Sequence, residues 1–163
     1  LSPTPEIPSK GWDAALNRIC TYAQFVDRQS KDTFWVFNTH FDHVGETARM
    51  KSAELILQKM KEVTKGTNQA VIFCGDLNLN DDHPTITFVQ SQLKDAFLVA
   101  EKVKTKMNRT FNNFDLTTPA SKRIDYIFAN EMVLVKSFET IVEPFGVSYP
   151  SDHFPIFTRI KIK

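Results

Sequence analysis

The sequence predicts a mixed α/β domain, and three stretches carry that prediction. Residues 33–39 and 70–76 are short apolar runs rich in β-branched and aromatic side chains, which is typical of buried strands. Residues 46–63 repeat apolar side chains at three- and four-residue spacing opposite a Lys- and Glu-rich face, which predicts an amphipathic helix. Two strands joined by a helix are expected to run parallel if they share a sheet. The 163 residues are enough for one domain with its own core.

The N-terminal part predicts an irregular lead followed by an antiparallel strand pair. Residues 1–11 are proline-rich and predict a loop, whereas 12–26 alternate polar and apolar side chains like a strand. A polar turn at 27–32 separates that strand from 33–39, as in a hairpin. Residues 40–45 then predict a loop that leads into the helix.

The C-terminal half predicts a short helix, a long irregular stretch and further strands. A helix is expected over 85–93, since Pro84 suits its first turn. Residues 99–119 show weak periodicity, and long loops in compact domains are often functional. The remaining elements are strands at 123–130, 132–141 and 154–163, with a loop at 143–150.

Composition indicates an ordinary soluble globular protein. Hydrophobic residues make up 42% of the chain and charged residues 24%. The net charge is only +1, whereas proteins that hold long nucleic acids by the backbone usually carry a basic surplus, so strong non-specific DNA binding is not expected. No apolar run approaches the roughly 20 residues that a membrane helix needs.

Targeting and redox signals are sparse. Pro3, Pro5 and Pro8 break any helical signal segment at the start of the sequence, so a signal peptide would lie upstream, and the compartment stays open. Cys20 and Cys74 both fall in predicted strands and do not form a disulfide framework. We expect both to be buried packing thiols.

Polar side chains follow the strand predicted at 70–76. Asp76 and Asn78 come after Gly75 with one leucine between them, and strand alternation would place both on the same side. Gly75 would let the backbone turn or approach another segment closely. A carboxylate and a carboxamide there could hold a water or add oxygen ligands to a hard metal ion. The alternative is an Asx-rich turn that only satisfies its own backbone.

Three other stretches place Asp or His at the end or start of an apolar run. They read Asn-Thr-His-Phe-Asp-His at 38–43, Arg-Ile-Asp-Tyr-Ile-Phe at 123–128 and Ser-Asp-His at 151–153. Together with Gly-Asp-Leu-Asn at 75–78, they resemble, in the same order, the motifs of the endonuclease/exonuclease/phosphatase superfamily of metal-dependent phosphoesterases related to DNase I. Four motifs in order are far more specific than one, and the resemblance spans almost the whole chain.

The resemblance implies a fold and an incomplete domain. The family fold is an α/β sandwich of two packed mixed β-sheets flanked by helices, in which residues 1–163 would form a single domain. In the family, strands carrying an Asn and a metal-binding Glu come first, so this chain resembles the C-terminal two-thirds of the domain. On this expectation the chain lacks one metal-binding carboxylate and is inactive alone. Its uncovered sheet edge favours association with another chain.

The resemblance also assigns roles to the motif residues. Asp152 would bind the metal, and His153 would contact the scissile phosphate. Asp125 would pair with His153 and raise its pKa, because an opposite charge favours the protonated form. Asp76 would orient or deprotonate the attacking water, and Asn78 would fix that nucleophile or a phosphate oxygen.

Two further side chains would contact the substrate. His40 matches a family histidine that donates to the phosphate, and Arg18 lies where many members place an arginine on a substrate phosphate. Their alternatives are a strand-end histidine satisfied by its loop and a charge on a strand surface. Asp42, His43 and Arg49 resemble family positions near the rim of the site, although Arg49 could equally be a solvated helix charge.

The sequence therefore predicts a metal-dependent phosphoesterase that hydrolyses a phosphodiester or phosphomonoester by in-line attack of an activated water. The expected cofactor is Mg²⁺, with Mn²⁺ as an alternative, and the expected partner is a small phosphoester or a nucleic-acid end. Other readings are a catalytically inactive binding module on the same fold and a zinc hydrolase using His40, His43, His83 and His153. An inactive module would have lost motif residues, and these histidines lack zinc-site spacing.

Overall fold

The computed structural model describes residues 1–105, 107–118 and 120–163, which form two β-sheets and three helices. Lys106 and Pro119, both in the predicted irregular stretch, lie outside the described residues. In chain order the elements are β1 (Cys20–Val26), β2 (Thr33–His40), α1 (Glu46–Thr64), β3 (Ala70–Asp76), α2 (Pro84–Gln90), β4 (Lys94–Asp95), α3 (Ala96–Val99), β5 (Lys102–Val103), β6 (Asp125–Ala129), β7 (Val133–Thr140) and β8 (Ile156–Ile162).

Strand pairing brings polar residues from three strands to one end of the larger sheet. That sheet has the order β1-β2-β3-β6-β4, and the smaller sheet has the order β5-β7-β8. As predicted, β1 and β2 are antiparallel, and β2 and β3 are parallel across the helix. In this register His40 lies opposite Asp76, and Asp76 lies opposite Asp125.

Helix α1 and the facing side of the larger sheet form the main core. The apolar stripe predicted for the helix is buried, and it packs against aromatic side chains of the sheet; the members of this core include Ala53, Ile56, Leu57, Met60, Phe37, Phe73 and Phe128. On the other face, Ala70 and Ala129 of the larger sheet pack with Val133 and with Ile160 and Ile162 of the smaller sheet. The two sheets are therefore packed on each other. No helix in the described ranges is both long and apolar enough to cross a membrane.

The strand predicted over 12–26 begins only at Cys20. The backbone N–H groups of Ala15 and Leu16 donate to Oδ1 of Asp42, and Trp12 has a left-handed φ of 49°. These contacts bend residues 12–19 into a loop, because a carboxylate takes donors that a strand would offer to its neighbour.

Several short elements between residues 84 and 103 differ from the predicted pattern. Helix α2 ends at Gln90, three residues before the predicted end, and β4, α3 and β5 were not predicted. Helix α3 begins where Oδ1 of Asp95 accepts from the N–H of Phe97. Elements of two to four residues are too short to leave a periodic signal in the sequence.

Both cysteines are free, and each is partly exposed, which corrects the prediction of buried thiols. Burial nevertheless raises the pKa of Cys20 to about 12, and the neighbouring Cys74 thiol adds to this rise. The pKa of Cys74 is also raised by burial. Neither thiol is therefore an activated nucleophile.

Candidate active site

One end of the larger sheet brings together four of the predicted site residues. Nδ1 of His153 donates to Oδ2 of Asp125 at 2.8 Å, which confirms the predicted contact. Nε2 of His153 lies 3.9 Å from Oδ2 of Asp76, and the same oxygen lies 3.2 Å from Nε2 of His40. Two carboxylates and two imidazoles thus form one connected group.

Gly75 is the reason that β2 and β3 approach so closely beside this group. Its φ is 144°, and a Cβ atom at this position would lie 1.8 Å from the carbonyl oxygen of Thr39. A larger residue would therefore push the two strands apart just where they deliver His40 and Asp76. The predicted close backbone approach at Gly75 is confirmed.

Asn78 reaches the site by a route that strand alternation did not predict. Strand β3 ends at Asp76, and Asn78 has a left-handed φ of 51°. Its N–H donates to Oδ1 of Asp76 at 2.8 Å, and its Nδ2 donates to the carbonyl of Phe41 at 3.0 Å. Asn78 therefore forms the Asx turn that was considered as the alternative. It also lines a cavity together with His153, so both descriptions apply.

The electrostatic environment raises the pKa values of both His153 and Asp76. Burial opposes the charged form of His153, but the hydrogen bond and charge of Asp125, helped by Asp76 and Asp152, outweigh it and raise the His153 pKa. The pKa of Asp76 is raised mainly by burial, against a hydrogen bond from the N–H of Asn78. A raised pKa makes the Asp76 carboxylate a better proton acceptor.

A cavity of about 240 Å³ opens beside His153. Seven residues line it: His43, Asn78, Asn80, Phe111, Lys122, Ile124 and His153. The sequence did not single out Asn80, Phe111, Lys122 or Ile124 as site residues. The ring of Phe111 meets the His153 ring edge-on, with centroids 5.2 Å apart. The irregular stretch containing Phe111 predicted a functional loop, but nothing in the pattern pointed to that residue.

Arg18 contacts a residue of the cavity lining, His43. Its Nη2 donates to Nδ1 of His43 at 3.3 Å, and its Nε lies 3.9 Å from Oδ1 of Asp42. The Arg18 side chain is largely buried, unlike the strand-surface charge considered as the alternative. Substrate binding by Arg18 stays a prediction, because its partner His43 lines the cavity and Arg18 is not among the lining residues.

Asp42 and Arg49 are buried and are not among the residues that line the cavity. Asp42 is only 2% exposed, and its carboxylate accepts from four backbone N–H groups, those of Ala15, Leu16, Val44 and Gly45. Arg49 donates to the carbonyl of Asp42 at 3.2 Å and pairs with Glu46. Because Arg49 is buried, the alternative of a solvated helix charge is wrong.

The donor chemistry of the site fits a hard divalent cation. Ligand atoms of Asp76, Asp125 and His153 lie within 4.8 Å of one another. Oδ2 of Asp125 already accepts from His153, whereas the Asp152 carboxylate has a contact from Ser151 Oγ at 3.5 Å and can take a further ligand. Mg²⁺ is typically held by one or two carboxylates with several retained waters. Asp152 is not a member of that group of ligand atoms, so its predicted metal role stays a prediction.

The four histidines of the zinc alternative are not gathered at one point. Nε2 of His83 donates to Glu46 at 2.9 Å, and its Nδ1 accepts from the N–H of Thr85 at 3.1 Å at the start of α2. Among the described residues, the potential metal-ligand group contains a single histidine, His153. A zinc site built from the four histidines is therefore excluded for this part of the chain.

The sequence of this chain is similar to those of a known protein family. The sequence profile of the Endonuclease/Exonuclease/phosphatase family matches residues 8–153, so the chain belongs to this family. The uncharacterized protein L388 of Acanthamoeba polyphaga mimivirus is 28% identical over 171 residues, covering 96% of this chain and 61% of that protein.

Solved structures share the fold. A mannosyl-6-phosphatase of Bacteroides thetaiotaomicron is 36% identical, with a TM-score of 0.94 over 99% of this chain and 63% of that one. A family member from Bacteroides vulgatus is 37% identical, with a TM-score of 0.87 over 95% of this chain and 59% of that one. The human Nocturnin catalytic domain, at 19% identity and a TM-score of 0.70, shares the architecture. The two packed mixed sheets thus have the predicted DNase I-like fold, and the chain spans less than two thirds of each relative's length.

Proposed function

We propose that this protein is a metal-dependent phosphoesterase that hydrolyses a phosphomonoester or phosphodiester by in-line attack of an activated water. One observation carries the proposal: His153, which lines a cavity of about 240 Å³ and lies near Asp76, is hydrogen-bonded to Asp125 at 2.8 Å. Hydrolysis of a phosphoester needs a positive group for the phosphate, a base for the water and a means of neutralising charge. The site offers residues for each task.

In the proposed reaction His153 binds a phosphate oxygen through Nε2. Asp125 holds the ring through Nδ1 and stabilises its protonated form. His40, next to Asp76, supplies a second donor to the phosphate. Together these contacts balance the negative charge that builds on the phosphate oxygens in the transition state.

Asp76 is the proposed base that orients and deprotonates the attacking water. Its raised pKa follows from burial, and its Oδ1 is fixed by the N–H of Asn78. The Asn78 side chain lines the cavity and is assigned to hold the water or a phosphate oxygen. Asp152 would bind Mg²⁺, or Mn²⁺ in its place, and the bound ion would supply Lewis-acid stabilisation of the phosphate.

A sugar phosphate is the first substrate to test. The most informative relative is the mannosyl-6-phosphatase at 36% identity, and a cavity of 240 Å³ suits a small group better than a duplex. The net charge of +1 also disfavours a long nucleic acid. An inactive binding module is the second candidate, but the intact hydrogen-bonded Asp125–His153 pair argues against it.

The test is steady-state hydrolysis of mannose 6-phosphate and of bis-p-nitrophenyl phosphate by the full-length protein, with Mg²⁺, with Mn²⁺ and with EDTA. We expect His153→Ala to lower kcat by about 10²–10⁴-fold, the usual contribution of a positioned proton-transfer or phosphate-binding group. His83→Ala is the matched control, since His83 caps α2 and pairs with Glu46. Equal kcat for His153→Ala and the wild type would rule out the proposed mechanism.

A further inference from the structure

Thr110 lies between the two segments that carry Asp125 and His153. The residue is 1% exposed, and its Oγ1 accepts from the backbone N–H groups of Ile124 and Asp125, each at 3.1 Å. Strand β6 begins at Asp125, so the Thr110 hydroxyl satisfies the N–H groups at the start of this strand. A hydroxyl oxygen has two lone pairs and can accept both.

The main chain of Thr110 ties the same two segments together. Its N–H donates to the carbonyl of Lys122 at 2.7 Å, and its carbonyl accepts from the N–H of Phe154 at 2.7 Å. Two residues further on, the N–H of Asn112 donates to the carbonyl of Asp152 at 2.8 Å. Residues 110–112 thus form a strap that holds the start of β6 and the Ser-Asp-His segment side by side.

We propose that Thr110 is a positioning residue that sets the distance between Asp125 and His153. The proposal rests on the proposed function, because the Asp125–His153 hydrogen bond affects turnover only if His153 acts on a phosphoester. The main-chain contacts of the strap do not use the Thr110 side chain, whereas its hydroxyl accepts from the N–H of Asp125 itself. Without it, two buried N–H groups lose their acceptor, and the strand start shifts to find another.

A shift of this kind affects turnover more than substrate binding. The Asp125 carboxylate orients the His153 ring, and a misplacement of about 1 Å at a catalytic group can cost about 10²-fold in rate. The substrate would still meet the cavity wall formed by Asn78, Asn80 and Lys122, whereas the hydrogen bonds of the Thr110 hydroxyl go to the N–H groups of Ile124 and Asp125. A positioning role therefore predicts a fall in kcat with little change in KM.

The test compares three variants of the full-length protein. Thr110→Val keeps the shape and removes the hydroxyl, and it is expected to lower kcat by about 10–100-fold with KM within about threefold. Thr110→Ser restores the hydroxyl and is expected to restore kcat. Thr64→Val is the matched control, because Thr64 is also buried and its hydroxyl donates to the carbonyl of Met60 at 2.8 Å, in helix α1. The control is expected to lose stability but keep kcat.

Amide hydrogen exchange gives a readout that needs no activity. Thr110→Val should speed exchange at Ile124 and Asp125 well above the wild-type rates, while Thr110→Ser and Thr64→Val should leave these two amides protected. Wild-type kcat and exchange in Thr110→Val would overturn the proposal. If Thr110→Val does not fold, Thr110→Cys replaces it, since a thiol is a weak acceptor, and equal kcat in the Cys and Ser variants would overturn the proposal.

The outcomes separate this proposal from the proposed function. If His153→Ala abolishes turnover and Thr110→Val does not reduce it, the positioning role is wrong and the phosphoesterase assignment stands. If His153→Ala retains turnover, the proposed mechanism is wrong, and loss of amide protection in Thr110→Val then supports only the structural half of the proposal.

Discussion

His153 is the side chain on which the contacts of the site converge. Its Nδ1 is committed to Asp125 at 2.8 Å, and Phe111 covers one side of the ring. In the proposed reaction Nε2 is therefore the ring nitrogen left for a substrate oxygen, and Asp76 lies 3.9 Å from it. The two nitrogens have different tasks because the hydrogen bond at one fixes the orientation and proton of the other.

Asp42 should make the stability of the protein depend on pH. Its pKa is strongly lowered, because hydrogen bonds from the backbone N–H groups of Gly45, Ala15, Leu16 and Val44 outweigh the cost of burial. A lowered folded-state pKa contributes stability above the unfolded value of about 4, and this contribution is lost as pH falls toward the folded value. We expect Asp42→Asn to lower the free energy of unfolding by about 1–3 kcal/mol at pH 7.

Urea unfolding at pH 7 and at pH 3 measures this effect. The difference in the free energy of unfolding between wild type and Asp42→Asn should shrink at the lower pH. At pH 3 the carboxylate of the unfolded wild type is mostly protonated, so the lowered folded-state pKa contributes less stability. Asp82→Asn, at an exposed position, is the control and should stay within about 0.5 kcal/mol of wild type. A pH-independent difference would show that the loss of stability comes from the side-chain amide that Asp42→Asn introduces and not from the lost carboxylate charge.

A buried ion pair holds the short elements β4 and α3 against the residues just before strand β6. Nη2 of Arg123 lies 2.6 Å from Oδ1 of Asp95, and both side chains are almost fully buried. The guanidinium also stacks between the rings of Phe97, at 4.9 Å, and Tyr126, at 4.6 Å. Because Asp95 also caps α3, one carboxylate serves both elements.

Loss of Arg123 should therefore be severe. Arg123→Ala leaves the buried Asp95 carboxylate without its partner, and breaking such a pair typically costs about 3–5 kcal/mol of stability. Chemical denaturation followed by circular dichroism measures the change. Arg159→Ala is the control, because this arginine stacks on Phe157 at 5.7 Å at an exposed position and should cost less than about 1 kcal/mol. Equal losses in the two variants would contradict a special role for the buried pair.

The larger sheet and the smaller sheet each end in a strand with one free side. Within the described ranges, β1 has β2 as its single neighbour and β8 has β7. Strand β1 also exposes apolar side chains, among them Phe25, which is 48% exposed. Unpaired strand edges of this kind are templates for pairing with another chain. The association predicted from the sequence therefore has a specific candidate surface, the β1 edge.

Size-exclusion chromatography with light scattering, over a concentration series, tests that surface. We expect the apparent mass of the 163-residue chain to rise with concentration and Phe25→Lys to suppress the rise, because a lysine on an edge strand opposes pairing. Leu98→Lys is the matched control, since Leu98 is 65% exposed on α3 and not on an edge. Equal suppression by both substitutions would indicate non-specific hydrophobic association. A constant monomer mass would refute the prediction.

Local patterns in the sequence were sufficient for the long elements and for the residues at their ends. Periodicity predicted α1, and apolar runs predicted β2, β3 and β7, because side-chain spacing reflects which face of an element is buried. The parallel pairing of β2 and β3 followed from the helix between them. The family resemblance, together with the position of these residues at strand ends, then predicted Asp76, Asp125 and His153 as neighbours, and the geometry agrees.

Contacts between segments far apart in sequence could not be predicted in this way. The Thr110 hydroxyl at the start of β6, the buried Arg123–Asp95 pair and the left-handed turn at Asn78 depend on packing that leaves no local pattern. A buried polar group takes whichever partner the fold brings within reach, and a short strand forms only where a neighbour supplies its hydrogen bonds. The sequence alone was thus enough to predict the long elements, the family resemblance and the contact between Asp125 and His153, while the packed chain determined which side chains hold those two residues in place.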